Sequence, residues 1–215
     1  MRMSHGAYRE AHPLPATLMH WSHLISMVAL GFTGFYIHKP FFNGNMELMR
    51  TLHFIFMYVV LITLVCRIYW AFMGGGSTLT KGTREIARDR KNWGFQEENK
   101  GQFFETIKYY LFLRKTHPIS GKYNPMQKTA YLAMIPLLIA QGYTGFAIYG
   151  PAARMTFFSW GTSLVGGLMI MREIHFFIMW VFILITMIHV YLSLAEDIEA
   201  LPLMFFQKET PAKEH

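Results

Sequence analysis

Residues 172–195 read REIHFFIMWVFILITMIHVYLSLA, and this stretch decides the fold. After Arg172 and Glu173 it has no charged side chain. It meets the length of about 20 mostly apolar residues that a helix needs to cross a hydrocarbon layer. Two histidines stand inside it, His175 and His189. Their spacing of 14 residues (189 − 175) returns, at about 100° per residue, to within about 40° of one helix face and rises about 21 Å. An ionisable side chain at membrane depth costs free energy unless something binds it, so these two positions point to function.

Three further stretches of the same kind lie near 17–37, 51–73 and 126–149. The chain has 215 residues, 53% of them hydrophobic, with its charges gathered between the apolar runs. That blocky pattern excludes an ordinary soluble core and predicts an all-α integral membrane protein. The expected architecture is an up-down bundle of four transmembrane helices forming one membrane domain over 1–215, with a polar loop at 74–125. Cys66 is the only cysteine and sits in an apolar run, so an intrachain disulfide or a cysteine-held zinc or iron–sulfur site is excluded.

The formal charge of +7 is explained by topology, with no nucleic-acid partner expected. The 74–125 loop carries Lys81, Arg84, Arg88, Arg90, Lys91, Lys100, Lys108, Arg114, Lys115 and Lys122, whereas the other two connections hold only Lys39, Arg50, Arg154 and Arg172. The positive-inside rule then places the loop and both termini of a multi-pass membrane protein in the cytoplasm, with lipid as its surroundings. A polar lead containing His12, Pro13 and Pro15 precedes the first apolar run, so no cleavable signal peptide is expected. Phe103, Phe104, Ile107, Tyr110 and Leu111 recur at helical spacing beside Lys108, Arg114 and Lys115. They predict an amphipathic helix, either lying on the inner membrane face or solvated in a small cytoplasmic domain.

The chain also repeats itself. Gly31-Phe-Thr-Gly-Phe35 recurs as Gly142-Tyr-Thr-Gly-Phe146, and His53-Phe54, Met57, Val59 and Tyr69 align on His175-Phe176, Met179, Val181 and Tyr191. Two helical hairpins related by an approximate twofold would explain both matches. With this topology His53 and His175 form an outer pair and His20 and His189 an inner pair. Imidazole is a good axial ligand for haem iron, and two per iron leave no open position for dioxygen, so the pattern predicts an electron wire with two haems. His23, one turn from His20, competes for the inner position. The bland alternative for each histidine is a hydrogen bond to a neighbouring helix. Gly31, Gly34, Gly142 and Gly145 give clearance either to haem or to close helix packing. Arg67 fills the slot equivalent to His189 and either pairs with a haem propionate or reaches lipid phosphate.

These residues resemble a known family. Leu18-Met-His-Trp21 followed by Thr33-Gly-Phe35, Leu52-His-Phe54 followed by Cys66-Arg-Ile-Tyr-Trp-Ala-Phe72, Tyr109-Tyr-Leu-Phe-Leu113, and His189-Val-Tyr191 ending in Glu196-Asp-Ile198 are similar to the cytochrome b subunit of membrane-bound nickel–iron hydrogenases. Gly121-Lys-Tyr-Asn124 with Gln127 also resembles the gamma subunit of formate dehydrogenase. The resemblance implies two b-type haems held by His20, His53, His175 and His189. It also implies, as partners, the iron–sulfur small subunit and nickel–iron large subunit of a hydrogenase, or a related dehydrogenase. The electron acceptor it implies is menaquinone or ubiquinone, and it leaves a higher oligomer of the complex open. The chain would then be the electron-transfer subunit of a hydrogen:quinone oxidoreductase. Asn124 and Gln127 would hydrogen-bond a quinone carbonyl, although Asn124 is equally suited to capping a helix. Two other classes stay open: a helical bundle whose histidines bind a transition metal or relay protons, and a self-contained cytochrome b561-like quinone oxidoreductase.

Overall fold

The computed structural model describes residues 13–80, 83–92, 101–116, 125–196, 202, 204 and 205. Its architecture is carried by four long helices: α1 (Leu14–His38), α2 (Met46–Met73), a later helix Pro125–Ile148, and a last one, Leu168–Glu196. Between the second and third lie β1 (Gly75–Thr80), β2 (Thr83–Arg88), a 3₁₀ turn (Asp89–Asn92) and α3 (Phe103–Tyr110). The third long helix is therefore α4, and two short helices, α5 (Gly150–Ala153) and α6 (Thr156–Leu164), separate it from the last, α7.

The expected spans 17–37, 51–73 and 172–195 lie within α1, α2 and α7, and 126–149 coincides with α4 up to Ile148; the starts of α2 and α7 differ for identifiable reasons. α2 starts earlier than residue 51 because the Asn45 side-chain oxygen accepts from the backbone N–H groups of Glu47 (2.9 Å) and Leu48 (3.1 Å), satisfying donors that a helix start leaves open. α7 starts before residue 172 because Gly166 (φ 100°) and Gly167 (φ 115°) end α6 in a conformation that L side chains rarely adopt, freeing the chain to begin a new helix at Leu168. The connection 150–167 folds into two short helices.

Among the described residues, three helical stretches are long and apolar enough to cross a membrane: Met46–Met73, Lys128–Ile148 and Leu168–Leu194. α1 has 25 residues, but His20, Ser22, His23 and Ser26 within it lower its hydropathy. Large apolar side chains on these helices point outward: Ile62, Val65, Phe177 and Met187 are each at least 62% exposed. A soluble protein would not tolerate so much exposed apolar surface, whereas a bilayer supplies its solvent. The chain is an integral membrane protein.

The polar connection departs from the expected loop. Gly75–Thr80 pairs antiparallel with Thr83–Arg88, from Gly75 opposite Arg88 to Thr80 opposite Thr83. The hairpin is tied to α2 through Gly74, whose N–H donates to Trp70 O (2.7 Å) and whose carbonyl accepts from Asp89 N–H (3.1 Å). Here the glycine is required, because a Cβ at residue 74 would run into the Trp70 indole. The expected surface helix is present as Phe103–Tyr110, shorter than its apolar pattern because Phe112 turns the backbone to φ 60°. Phe104, Leu111, Phe112 and Leu113 are exposed, and Glu105 accepts from Lys108 Nζ (2.8 Å) and Arg114 Nη1 (2.8 Å).

Two compact units emerge from the contacts. Unit 1 takes Met1–His23, Ile62–Leu132 and His189–His215, and unit 2 takes Leu24–Leu61 and Ala133–Ile188. In unit 1, Trp21 Nε1–H donates to Met204 O (2.6 Å), its ring lies 4.3 Å from Phe205, and Tyr110 lies 6.3 Å from Tyr191. In unit 2, buried Tyr36 accepts from Gly44 N–H (3.1 Å) and packs on Phe42 (4.6 Å), while His38 stacks on Phe176 at 4.1 Å. Tyr143 O–H donates to Phe157 O (2.9 Å), fixing α6 against α4.

Candidate functional site

Unit 2 brings His53, from the first turns of α2, against His175, from the first turns of α7, with ring centroids 6.4 Å apart. Each ring is held by a threonine from the duplicated Gly-x-Thr-Gly-Phe motif. Thr33 Oγ1 lies 2.9 Å from His53 Nδ1, and Thr144 Oγ1 lies 2.9 Å from His175 Nδ1. Both threonines are buried and both turn back onto their own helix, Thr33 to Ala29 O (2.7 Å) and Leu30 O (3.2 Å), Thr144 to Ala140 O (2.9 Å) and Gln141 O (3.1 Å).

The motif glycines have divided roles. A Cβ at Gly34 would meet His53 Cε1 at 3.5 Å, and one at Gly145 would meet His175 Cε1 at 3.2 Å. These two clear the histidine rings themselves. Gly142 faces Leu61 (3.3 Å), a helix-packing contact, and a Cβ at Gly31 would meet nothing within 4 Å.

Unit 1 brings together His20 of α1 and His189 of α7, with ring centroids 6.2 Å apart. Trp21 stands edge-on to His20 at 5.4 Å. Among the described residues, no ring contact places His23 against His189. Arg67 Nη1 donates to Asp89 Oδ2 (2.6 Å) in the 3₁₀ turn. That carboxylate partner was not foreseen. Asn124 lies outside the described residues, and Gln127 falls in the first turn of α4.

A ring nitrogen sits about 2 Å from a metal it ligates and the ring centre about 1 Å further back, so two imidazoles on opposite sides of one metal place their centroids roughly 6–6.5 Å apart. The separations of 6.4 and 6.2 Å fit two imidazoles about a single iron at each site. Gln141 stands beside this ring. Its amide nitrogen lies 3.2 Å from His175 Nε2, the nitrogen not engaged by Thr144, and its buried Oε1 has no hydrogen-bond partner among the described residues.

Comparison with known proteins decides the class. Residues 11–207 match the family described as prokaryotic cytochrome b561. The chain belongs to that family. This cytochrome is 30% identical over 203 residues to a probable Ni/Fe-hydrogenase B-type cytochrome subunit of Azotobacter vinelandii, covering 86% of this chain and 79% of the relative. The probable Ni/Fe-hydrogenase 1 B-type cytochrome subunit of Escherichia coli (strain K12) is 29% identical over 202 residues, covering 86% and 81%. The counterpart from Cupriavidus necator is 27% identical over 202 residues, covering 86% and 78%. As a b-type cytochrome it carries haem b and serves membrane electron transport.

Sequence alone does not mark the threonines as ring partners, although both stand inside the repeated five-residue motif. The signal was a hydroxyl recurring one residue before each ring-clearing glycine.

Proposed function

We propose that this cytochrome is the membrane subunit of a nickel–iron hydrogenase complex, passing electrons from the iron–sulfur subunit to the membrane quinone pool. The observation that carries the reading is the pair of facing imidazoles in each unit, at 6.4 and 6.2 Å, in a chain whose relatives bear hydrogenase cytochrome names. His53 and His175 hold one haem b, His20 and His189 a second. Haem b supplies a one-electron iron couple when bound. Two imidazoles per iron close both axial positions, so the histidines restrict the chemistry to electron transfer. Gly34 and Gly145 let the two outer rings sit against neighbouring helices, and Arg67 offers a cation to a propionate near His20.

In this reading α1, α2, α4 and α7 form a four-helix bundle in the bacterial cytoplasmic membrane. The positive charge of the 74–125 connection holds that side and both termini in the cytoplasm. The pair His53 and His175 then faces the external enzyme and the pair His20 and His189 the cytoplasmic side, and the amides of Asn124 and Gln127 are the proposed hydrogen-bond partners of a menaquinone or ubiquinone carbonyl.

Purification from native membranes tests this. The expected outcome is copurification of nickel- and iron–sulfur-containing subunits, two haem b per chain, and hydrogen-driven reduction of a quinone analogue that His175→Ala abolishes. A haem-free preparation that still supports hydrogen-driven quinone reduction overturns the reading. Copurification with a formate-oxidising enzyme in place of a hydrogenase overturns the partner.

A further inference from the structure

Thr33 and Thr144 occupy equivalent positions in the two halves of the chain and make equivalent bonds. A threonine hydroxyl has one proton and two lone pairs. Thr33 directs its proton at the Ala29 and Leu30 carbonyls (2.7 and 3.2 Å), and Thr144 directs its proton at those of Ala140 and Gln141 (2.9 and 3.1 Å). With the proton committed, each Oγ1 can only accept from the histidine 2.9 Å away. Both Nδ1 atoms therefore carry the proton, and both Nε2 atoms keep their lone pair. The Gln141 amide, donating to His175 Nε2 at 3.2 Å, finds that lone pair where the assignment puts it.

We propose that Thr33 and Thr144 are a duplicated pair of positioning residues that fix the Nδ1–H tautomer of His53 and His175 and strengthen Nε2 of each as an iron ligand. The inference rests on the proposed histidine ligation and deepens it. An acceptor on the far ring nitrogen orients a ligating imidazole and raises its basicity. A more basic ligand favours ferric over ferrous iron, so each threonine lowers the potential of the haem held by this pair. Valine keeps the shape and removes the acceptor, while serine keeps the acceptor.

The experiment is a redox titration of purified, haem-loaded complexes carrying Thr33→Val, Thr144→Val, Thr33→Ser and Thr144→Ser, followed in the visible bands. It is joined by ¹⁵N spectra of the imidazoles in the haem-free chain. Each valine variant is expected to raise the reduced-to-oxidised ratio of one haem at fixed solution potential by about three- to tenfold, a tenfold change being 59 mV for a one-electron couple. The other haem stays put, and the serine variants titrate as the parent does. Retained haem with unmoved potentials in both valine variants overturns the proposal. So does loss of haem from valine and serine variants alike, which would mark a merely structural role. If only the valine variants lose haem and serine restores it with the parent potential, the proposal stands. The ¹⁵N spectra should show both rings protonated at Nδ1, and protonation at Nε2 overturns it. A parent complex that binds no haem refutes the ligation reading instead, and the ¹⁵N spectra then judge the threonine bonds on their own.

Discussion

Gly34 and Gly145 are equivalents in the repeat, yet alanine should act differently at the two. At residue 34 an added Cβ would stand 3.5 Å from His53 Cε1 and 3.7 Å from Met179 Sδ, ordinary van der Waals distances. At residue 145 it would stand 3.2 Å from His175 Cε1. Carbon atoms rest about 3.5–4.0 Å apart, so the His175 ring must retreat by about 0.3–0.5 Å. That is close to the tolerance of about 0.5 Å within which a first-sphere ligand must be held. Retreat also loads the 2.9 Å bond to Thr144, since the ring turns as a rigid body. Both substitutions gain about 1 kcal/mol of helix propensity, which sharpens the contrast because neither variant should fail for want of helix. The assay is haem per chain by pyridine haemochrome, with the electron paramagnetic resonance of the ferric haems as a monitor of ligand geometry. Gly34→Ala should match the parent in both. Gly145→Ala should keep its helix content and lose haem occupancy at one site, or retain it with shifted g values. A Gly145→Ala protein indistinguishable from the parent, beside a Gly34→Ala protein that loses haem, would refute the steric reasoning.

Three other outcomes are expected. Gly161→Ala drives a methyl into the Tyr143 hydroxyl that holds α6 through Phe157, an overpacking cost of about 1–3 kcal/mol that a lowered melting temperature in detergent would register. Asp89→Asn removes the carboxylate from Arg67 at a site where Asp89 is buried. The loss of a charged hydrogen bond should cost about 1.5–3 kcal/mol and show first as faster hydrogen exchange in the Gly75–Arg88 hairpin, with unchanged exchange there counting against it. The hydrogen bond from Lys108, then the charges of Lys108 and Arg114, hold the Glu105 carboxyl below the ordinary carboxylate range. A depressed carboxylate stabilises the fold above its unfolded value and ceases to do so as pH falls through the folded value. Protection of the Phe103–Tyr110 amides, taken relative to the intrinsic exchange rate at each pH, should therefore fall in acid, and Glu105→Gln should remove that fall.

The long helices were legible because length and apolarity are local properties. Residues 172–195 announce a span whatever surrounds them, and the structure extends it only to Leu168 and Glu196. Alternating helices place residues at matching levels wherever their ends are known, which is why the sequence can bring His53 near His175 (ring centroids 6.4 Å) and His20 near His189 (6.2 Å). Other features depend on partners distant in sequence. The hairpin after Gly74 has no alternating apolar pattern in Gly-Gly-Ser-Thr-Leu-Thr, and what anchors it is the Trp70 carbonyl and the Asp89 N–H. Arg67 was read against cofactor and lipid, but its carboxylate sits 22 residues along the chain in a turn that only the hairpin brings back. The threonines were hidden for a different reason. A hydroxyl in an apolar helix usually bonds its own preceding carbonyl, and here each does that and also lies 2.9 Å from a histidine Nδ1.

The central claim is that two irons are each gripped by two imidazoles, and counting them tests it most directly. Purified complex should yield two haem b per chain, both low-spin in the ferric state at low temperature. His175→Ala should remove one low-spin signal and His20→Ala the other. A single haem per chain, a high-spin iron in the parent, or a His20→Ala protein that keeps both low-spin signals would contradict the account.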